Sequence, residues 1–351
     1  MSEQRDQPGD GRPHPLSTLK TELVWEGKYD ERGQRRQPIL PAEPLPLRAA
    51  EIIGGAGAAA NRLIWADNKL ALQALAAELG GAAKLIYIDP PFDIGADVTM
   101  GLRLGGDAAA RPALEAVAYR DAWGRGAESY PQMMYERLVL LRRLLRADGS
   151  IFVHCDWRVS AALRFILDEV FGKERLLNEI IWHYQSGGRQ RDQFSHKHDT
   201  IYWYAAGADW TFNRAEIGEL RGDGRRNHMK RQVDGDGRVY FTIRSAGKTY
   251  AYYGDERLTP PDVWADISHL QQRDPQRTGY ATQKPEALLE RIIKAASDPG
   301  DLVLDCFCGA GTALAVAEKL GRRWIGVDLG RQAIRAARKR LISVRRERAA
   351  R

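Results

Sequence analysis

Cysteine is scarce in this chain: Cys155, Cys306 and Cys308 are the only three in 351 residues. An odd, sparse set excludes a disulfide framework and offers no paired metal-ligand spacing, so reduced core thiols and no metal site are expected. Long apolar runs are missing too. No stretch approaches the roughly 20 residues that span a bilayer, and the first twenty residues lack the apolar run of a signal peptide. The expectation is a cytoplasmic protein with no membrane partner. A large charge excess is also absent. Lys and Arg number 53 against 46 Asp and Glu, a formal net charge of +7, which permits nucleic-acid binding without demanding it. Distribution is more informative than the total. Arg225, Arg226, Lys230 and Arg231 crowd one segment, and Arg338, Lys339, Arg340, Arg345, Arg346 and Arg348 crowd another. Such runs are usually solvated faces.

What is present is alternation of strand and helix patterns. Residues 1–20, rich in Gly, Pro, Gln and charge, read as a disordered tail, and 21–60 as an N-terminal arm. From Asn61 the chain becomes regular, with a strand over Arg62 to Trp65, a helix over Leu70 to Leu79 and a buried strand over Lys84 to Ile88. The Gly- and Ala-rich stretch from Gly95 to about Pro112 lacks periodicity and reads as a mobile loop. Met134, Leu138, Leu141 and Leu145 mark one face of a helix opened by Pro131. A strand over Ser150 to Cys155, a helix over Val159 to Val170 and a strand over Glu179 to His183 complete a first half, 61–183.

Between 184 and 280 the texture turns charged and aromatic-studded, with weak β patches at Val239 to Ile243 and Thr249 to Tyr253, as in an inserted domain. Order returns over 281–346. A helix is expected over Pro285 to Ala296, a strand over Leu302 to Asp305, a helix over Thr312 to Leu320, a strand over Arg323 to Asp328 and a last helix from Arg331 to about Arg346. The fold class expected is α/β, a Rossmann-like sheet with helices on both faces.

Asp305-Cys306-Phe307-Cys308-Gly309-Ala310-Gly311-Thr312 joins a buried strand to a helix through a turn that small residues allow. Glycines let a ligand approach the backbone, and Asp328, ending the next strand, is placed to accept hydrogen bonds from ribose hydroxyls. Alone, a Gly-x-Gly is more often a plain tight turn. Leu314 stands where a dinucleotide fingerprint has its third glycine, so a ligand without phosphates fits better than a nicotinamide cofactor.

The strand Lys84 to Ile88 runs into Asp89-Pro90-Pro91-Phe92. Two prolines make a stiff turn without donors at those positions, so carbonyls can face a ligand while the acid sits at a strand's carboxyl end. An aromatic-ring amine is a poor nucleophile because its lone pair is delocalised. Asp89 and the Pro90 carbonyl supply two acceptors for it, and Phe92 a flat face for an extruded base. A fixed negative charge beside an amine that is gaining positive charge lowers the barrier.

These motifs, followed by Thr282-Gln283-Lys284-Pro285 and then the Gly309 turn, resemble the beta-class DNA amino-methyltransferases, which include type III modification subunits and solitary adenine methyltransferases. The likeness runs from about Asn61 to Leu341. It implies a permuted methyltransferase domain that transfers a methyl group from S-adenosylmethionine to the N6 amine of a flipped adenine in double-stranded DNA. By the resemblance Asp89, Pro90, Pro91 and Phe92 are catalytic. Asp67, Lys284, Asp305, Phe307, Gly309, Gly311, Thr312 and Asp328 bind the cofactor, with Lys284 near its methionine end and Asp67 near its adenine. Two departures stand out: Ala66 replaces the family's usual glycine before Asp67, and Phe92 its commoner tyrosine. The same likeness makes 184–280 a target-recognition domain, in which Trp203, Tyr240, Tyr252 and the basic cluster contact DNA, and implies a homodimer or a restriction or defence-system partner. The rivals are a cytosine-N4 methyltransferase, which usually carries Ser-Pro-Pro at the catalytic turn, and a catalytically silent DNA-binding protein on the same fold.

Overall fold

The computed structural model describes residues 22–38, 46–48, 51, 60–91, 97–102, 114–120, 129–185, 190–222, 228–280 and 282–350. The expected tail over 1–20, Phe92, Arg225 and Arg226 lie outside them. Among the described residues, no helix is long and apolar enough to cross a membrane.

Burial on both faces organises the molecule. Strand β2 (Ala83–Ile88) is buried along its whole length, as expected of a parallel strand covered by helices on each side. Alternate side chains feed two cores. Ile86 and Ile88 pack with α1 (Asn68–Leu79), α2 (Tyr130–Leu144) and α3 (Ser160–Phe171). Leu85 and Tyr87 face α5 (Glu286–Ala296) and α6 (Thr312–Lys319), joined by Leu341 of α7 (Arg331–Ala349).

The eight-stranded sheet follows the order β1 (Arg62–Trp65), β15 (Arg323–Asp328), β14 (Leu302–Asp305), β2, β5 (Leu145–Cys155), β7 (His198–Ala205), β6 (Leu176–His183), β13 (Val263–Trp264). The first five strands are mutually parallel. β7 runs antiparallel between β5 and β6. This is the α/β sheet expected, and β1, β14 and β15 fall on the residues read from the sequence.

Two expectations change. Within the predicted mobile loop, residues 97–102 form β3 (Asp97–Leu102), which pairs antiparallel with β4 (Leu114–Arg120); a Gly- and Ala-rich composition hid a hairpin that backbone pairing alone defines. The segment 184–280 is not set apart from the main domain over its whole length, because β7 and β13 are strands of the large sheet. Trp203 lies within β7, 6% exposed and stacked on Phe152 at 5.1 Å. It therefore belongs to the core and not to a DNA-contacting surface. What stays outside the large sheet is a three-stranded sheet of β9 (Lys230–Val233), β10 (Val239–Ser245) and β11 (Lys248–Tyr253), and a pair of two-residue strands, β8 (Glu219–Leu220) and β12 (Arg257–Leu258). The N-terminal arm packs on α2, where the Trp25 indole donates to Gln132 Oε1 at 2.9 Å.

Candidate active site

Four neighbouring parallel strands deliver an acid to the same edge of the sheet. β15, β14 and β2 run into Asp328, Asp305 and Asp89, and Asp67 follows β1 by two residues. A single cavity of about 420 Å³ is lined by all four, together with Lys284, Pro90, Pro91, Phe307, Gly309 and Thr312. Volumes of this order hold small ligands. The two motifs more than 200 residues apart thus open into one space; Phe92 falls outside the described residues.

Alternation along β2 decides what Asp89 faces. Leu85, Tyr87 and Asp89 share a side of the sheet, the side of α5, and just before α5 stands Lys284. Its ammonium meets Asp89 Oδ2 at 2.7 Å. Gln283 holds that strap in place: its Oε1 accepts from Thr278 N at 2.8 Å and its Nε2 donates to the Gln276 carbonyl at 2.6 Å. The other oxygen, Asp89 Oδ1, is buried with no hydrogen-bond partner among the described residues. A buried orphan acceptor is costly, and the residue that carries it lines the cavity.

The Gly309 turn is shaped by contacts at both of its glycines. Gly309 has φ of +49° and a Cβ there would stand 3.2 Å from the Tyr280 ring; Gly311, at +71°, would put one 2.8 Å from Ala337 Cβ in α7. The displaced third glycine also finds its explanation. Leu314 packs directly on Gly326 of β15, where any Cβ would lie 2.2 Å from Leu314 Cδ1. Close helix-to-strand approach is kept, with the small residue on the strand instead of the helix.

Several site acids already have work in the fold. Asp328 accepts from Gly309 N at 2.8 Å and Gly330 N at 2.7 Å, one on each oxygen. It holds the turn with one lone pair per oxygen and keeps the others for a hydroxyl. Asp305 accepts from Phe307 N at 3.0 Å. Burial pushes its carboxyl well above the usual range, the Phe307 amide opposes that, and the neighbouring Asp89 adds to the rise; burial likewise raises Asp328. Asp67 caps α1 through Lys69 N at 2.7 Å and lies 3.6 Å from Arg137. Thr312 accepts from Arg340 of α7 at 2.9 Å.

Sequence reasoning missed part of the wall. Asn68 bridges the site, donating to the Cys306 carbonyl at 3.0 Å and accepting from Arg137 Nε at 2.9 Å. Tyr280 faces Gly309 with no local motif to mark it. Tyr87 could have been found by its period-2 relation to Asp89. It is bonded to His154 Nδ1 at 3.0 Å, and His154 Nε2 to Asp199 Oδ2 at 2.9 Å, with the Tyr184 hydroxyl donating to the other Asp199 oxygen at 2.9 Å. This buried chain underlies the Asp89–Lys284 pair. All three cysteines are free and buried.

The cavity suits a cationic ligand with hydroxyls: among the described residues its lining holds four acids, Asp67, Asp89, Asp305 and Asp328, against two cations, Arg137 and Lys284. Comparison with known proteins agrees. A DNA methylase family model, that of the N6/N4 methyltransferases, matches residues 83–339, which include both Asp89 and the Gly309 turn. The type II methyltransferase M.EcaI of Enterobacter cloacae is 30% identical over 314 residues, covering 76% of this chain and 66% of its own length. M.HpaI of Haemophilus parainfluenzae is 30% identical over 216 residues, covering 61% and 60%. The chain thus spans somewhat less than two thirds of these relatives. Among solved structures, the PvuII DNA methyltransferase (cytosine-N4-specific) superposes with a TM-score of 0.51 at 16% identity, over 80% of this chain and 88% of its own. A Thermus thermophilus protein assigned as a DNA modification methylase gives 0.50 at 17% identity, over 81% and 95%. At such identities these two share the methyltransferase fold.

Proposed function

Because the chain belongs to the N6/N4 family of DNA methylases, we propose that it is a site-specific DNA methyltransferase acting on the N6 amine of an adenine flipped out of double-stranded DNA. The observation that carries this reading is the cavity that Asp89, one of whose oxygens has no partner among the described residues, shares with the Gly309 turn. S-adenosylmethionine is the cofactor and supplies the methyl group from its sulfonium. Asp305, Phe307, Gly309, Thr312 and Asp328 form its cradle at the ends of β14 and β15, with Asp67 at the far end beside β1; Gly311, which does not line the cavity, acts on the turn from the side of α7.

Asp89 does the work on the acceptor side. Its Oδ1 accepts one N–H of the amine and the Pro90 carbonyl the other, so the nitrogen lone pair turns out of the ring toward the donor. Lys284 fixes Asp89 Oδ2 and so sets the direction of Oδ1. With the cofactor bound, the amine would take the methyl group from its sulfonium, leaving the neutral thioether, while the carboxylate stabilises positive charge appearing on nitrogen. Asp89 would then accept the surplus amine proton and pass it to solvent.

The acidic residue at the head of the Pro-Pro turn supports adenine over cytosine, whose N4 enzymes usually carry serine there. Residues 206–262, which hold the exposed cations Lys230 and Arg231, are assigned to target recognition. Genomic DNA from a methylation-free host expressing this chain, sequenced with modified-base detection, is expected to carry N6-methyladenine in one motif. N4-methylcytosine would overturn the base assignment, and unmodified DNA the activity.

A further inference from the structure

The carboxyl edge of the sheet carries aromatic surface that the chemistry above leaves unused. Trp157 stands two residues past β5, and its indole stacks on the imidazole of His196, with ring centroids 4.3 Å apart and planes 10° from parallel. His196 lies on the segment that leads into β7. Trp157 keeps 47% of its surface exposed, and Phe194, two residues before His196, 98%. One exposed aromatic requires no account, whereas a stack built across two loops at the sheet edge that carries Asp89 does.

Strand order says what this surface faces. β1, β15 and β14 hold Asp67, Asp328 and the Gly309 turn on one flank of Asp89, and β5 and β7 form the other flank. Strands lie about 4.8 Å apart, so Trp157 follows the strand next to that of Asp89 and His196 precedes the one beyond. The cofactor cradle occupies the first flank. A duplex that delivers a base to Asp89 must therefore lie over the second. Extruding a base unstacks its neighbours and strips its partner of pairing, and flat aromatic side chains are the chemistry that offsets this loss. Arg158, 5.7 Å from the Trp157 ring centroid and paired with the buried Asp156, anchors the loop from below.

We propose that the Trp157–His196 stack is a nucleobase platform on which a base bared by extrusion of the target rests, holding the duplex open while Asp89 engages the amine. This rests on the reading that the chain methylates a flipped base in DNA. The two residues act on the opening of the duplex and are positioning residues.

The test compares the wild-type chain, Trp157→Ala and His196→Ala on two oligonucleotide duplexes carrying the mapped site, one fully paired and one with the target base mismatched. A mismatch lowers the cost of extrusion, so the platform matters less there. Trp157→Ala is expected to lose roughly 5- to 100-fold in kcat/KM on the paired duplex, the equivalent of one base's stacking, and to regain most of it on the mismatch. Its affinity for S-adenosylmethionine stays unchanged by calorimetry. His196→Ala shows the same pattern with a smaller loss, and Trp157→Phe keeps most of the rate.

Equal losses on both duplexes, the signature of a clasp that only joins two loops, overturn the proposal, as does no loss on the paired duplex. Should Trp157→Ala melt early, Trp157→Leu against Trp157→Phe carries the same contrast, since leucine fills space without a stacking face. Transferred methyl groups are counted whatever base receives them. A cytosine product therefore overturns the adenine assignment and leaves this result standing.

Discussion

The carboxyl edge of the large sheet and the small sheet of β9 to β11 treat charge in opposite ways. On the first, acids are drawn out of water: Asp305 is 3% exposed and burial lifts both its carboxyl and that of Asp328. On the second, Lys230, Arg231, Arg244 and Lys248 are exposed and have no ion-pair partner among the described residues. Buried charge is expensive and survives where its placement has a use. Exposed charge is cheap, weak at close range and screened by salt, yet adds up against a polyanion. Under the proposed function the first region serves chemistry and the second association.

The largest effect expected from this contrast is at Asp89. Asp89→Ala removes the acceptor and the negative charge beside the amine and lowers the methyl-transfer rate by about 10²- to 10³-fold or more, in line with loss of a preorganised electrostatic group. Single-turnover assays with labelled cofactor read the rate. Cofactor affinity stays within a few-fold, since the cradle lies on β14 and β15; a tenfold fall in affinity would mean that Asp89 belongs to the donor side.

Next in size is Gly309→Val, which places a branched side chain against Tyr280 at a residue with φ of +49°. It is expected to weaken S-adenosylmethionine binding by at least about tenfold, because strain at such a site costs of order 1–3 kcal/mol. Calorimetry showing wild-type affinity would remove the turn from the cofactor site.

Smaller and opposite in kind is the double change Lys230→Ala with Arg231→Ala. DNA binding weakens a few-fold at low salt, and the slope of log affinity against log salt falls by up to about 2, near 0.9 for each phosphate no longer neutralised. Fluorescence anisotropy over a salt series measures it, and an unchanged slope assigns this face to something other than DNA.

The smallest effect on DNA binding comes from the second basic cluster, on α7. Arg340 pairs with Glu286 at 2.8 Å, and Arg345 and Arg348 reach Glu318 at 3.5 and 3.3 Å. Arg345→Ala with Arg348→Ala should leave the salt slope unchanged and cost about 1–3 kcal/mol in a denaturant melt, because Glu318 is buried and keeps only Asn61 and Trp324 as side-chain partners among the described residues. Two runs of arginine look alike in one dimension and differ in the acids the fold sets beside them.

The same distinction runs through the fold. β14 and β15 were legible to the residue because continuous apolar runs end in an acid and a turn, a purely local pattern. Asp89 and the Gly309 turn were legible as chemistry for the same reason: each needs small or rigid residues within a few positions. β7 was not, since its aromatic and polar surroundings resemble an insertion until β5 and β6 flank it. Nor was the hairpin of β3 and β4. Lys284 was visible as part of a motif, but its ion pair with Asp89 depends on which side of β2 faces α5, a consequence of packing. Tyr280 carries no local mark at all.

By itself, the amino-acid sequence determined the α/β alternation, the stiff acidic turn after β2 and the small-residue turn after β14, because short-range sterics and hydrophobic periodicity act within a few residues. Only the tertiary structure decided that these turns share one cavity, that Lys284 holds one oxygen of Asp89, and that Trp203 is core while Trp157 is surface. Those outcomes depend on strand order and on contacts between residues tens to hundreds of positions apart, which no local pattern encodes.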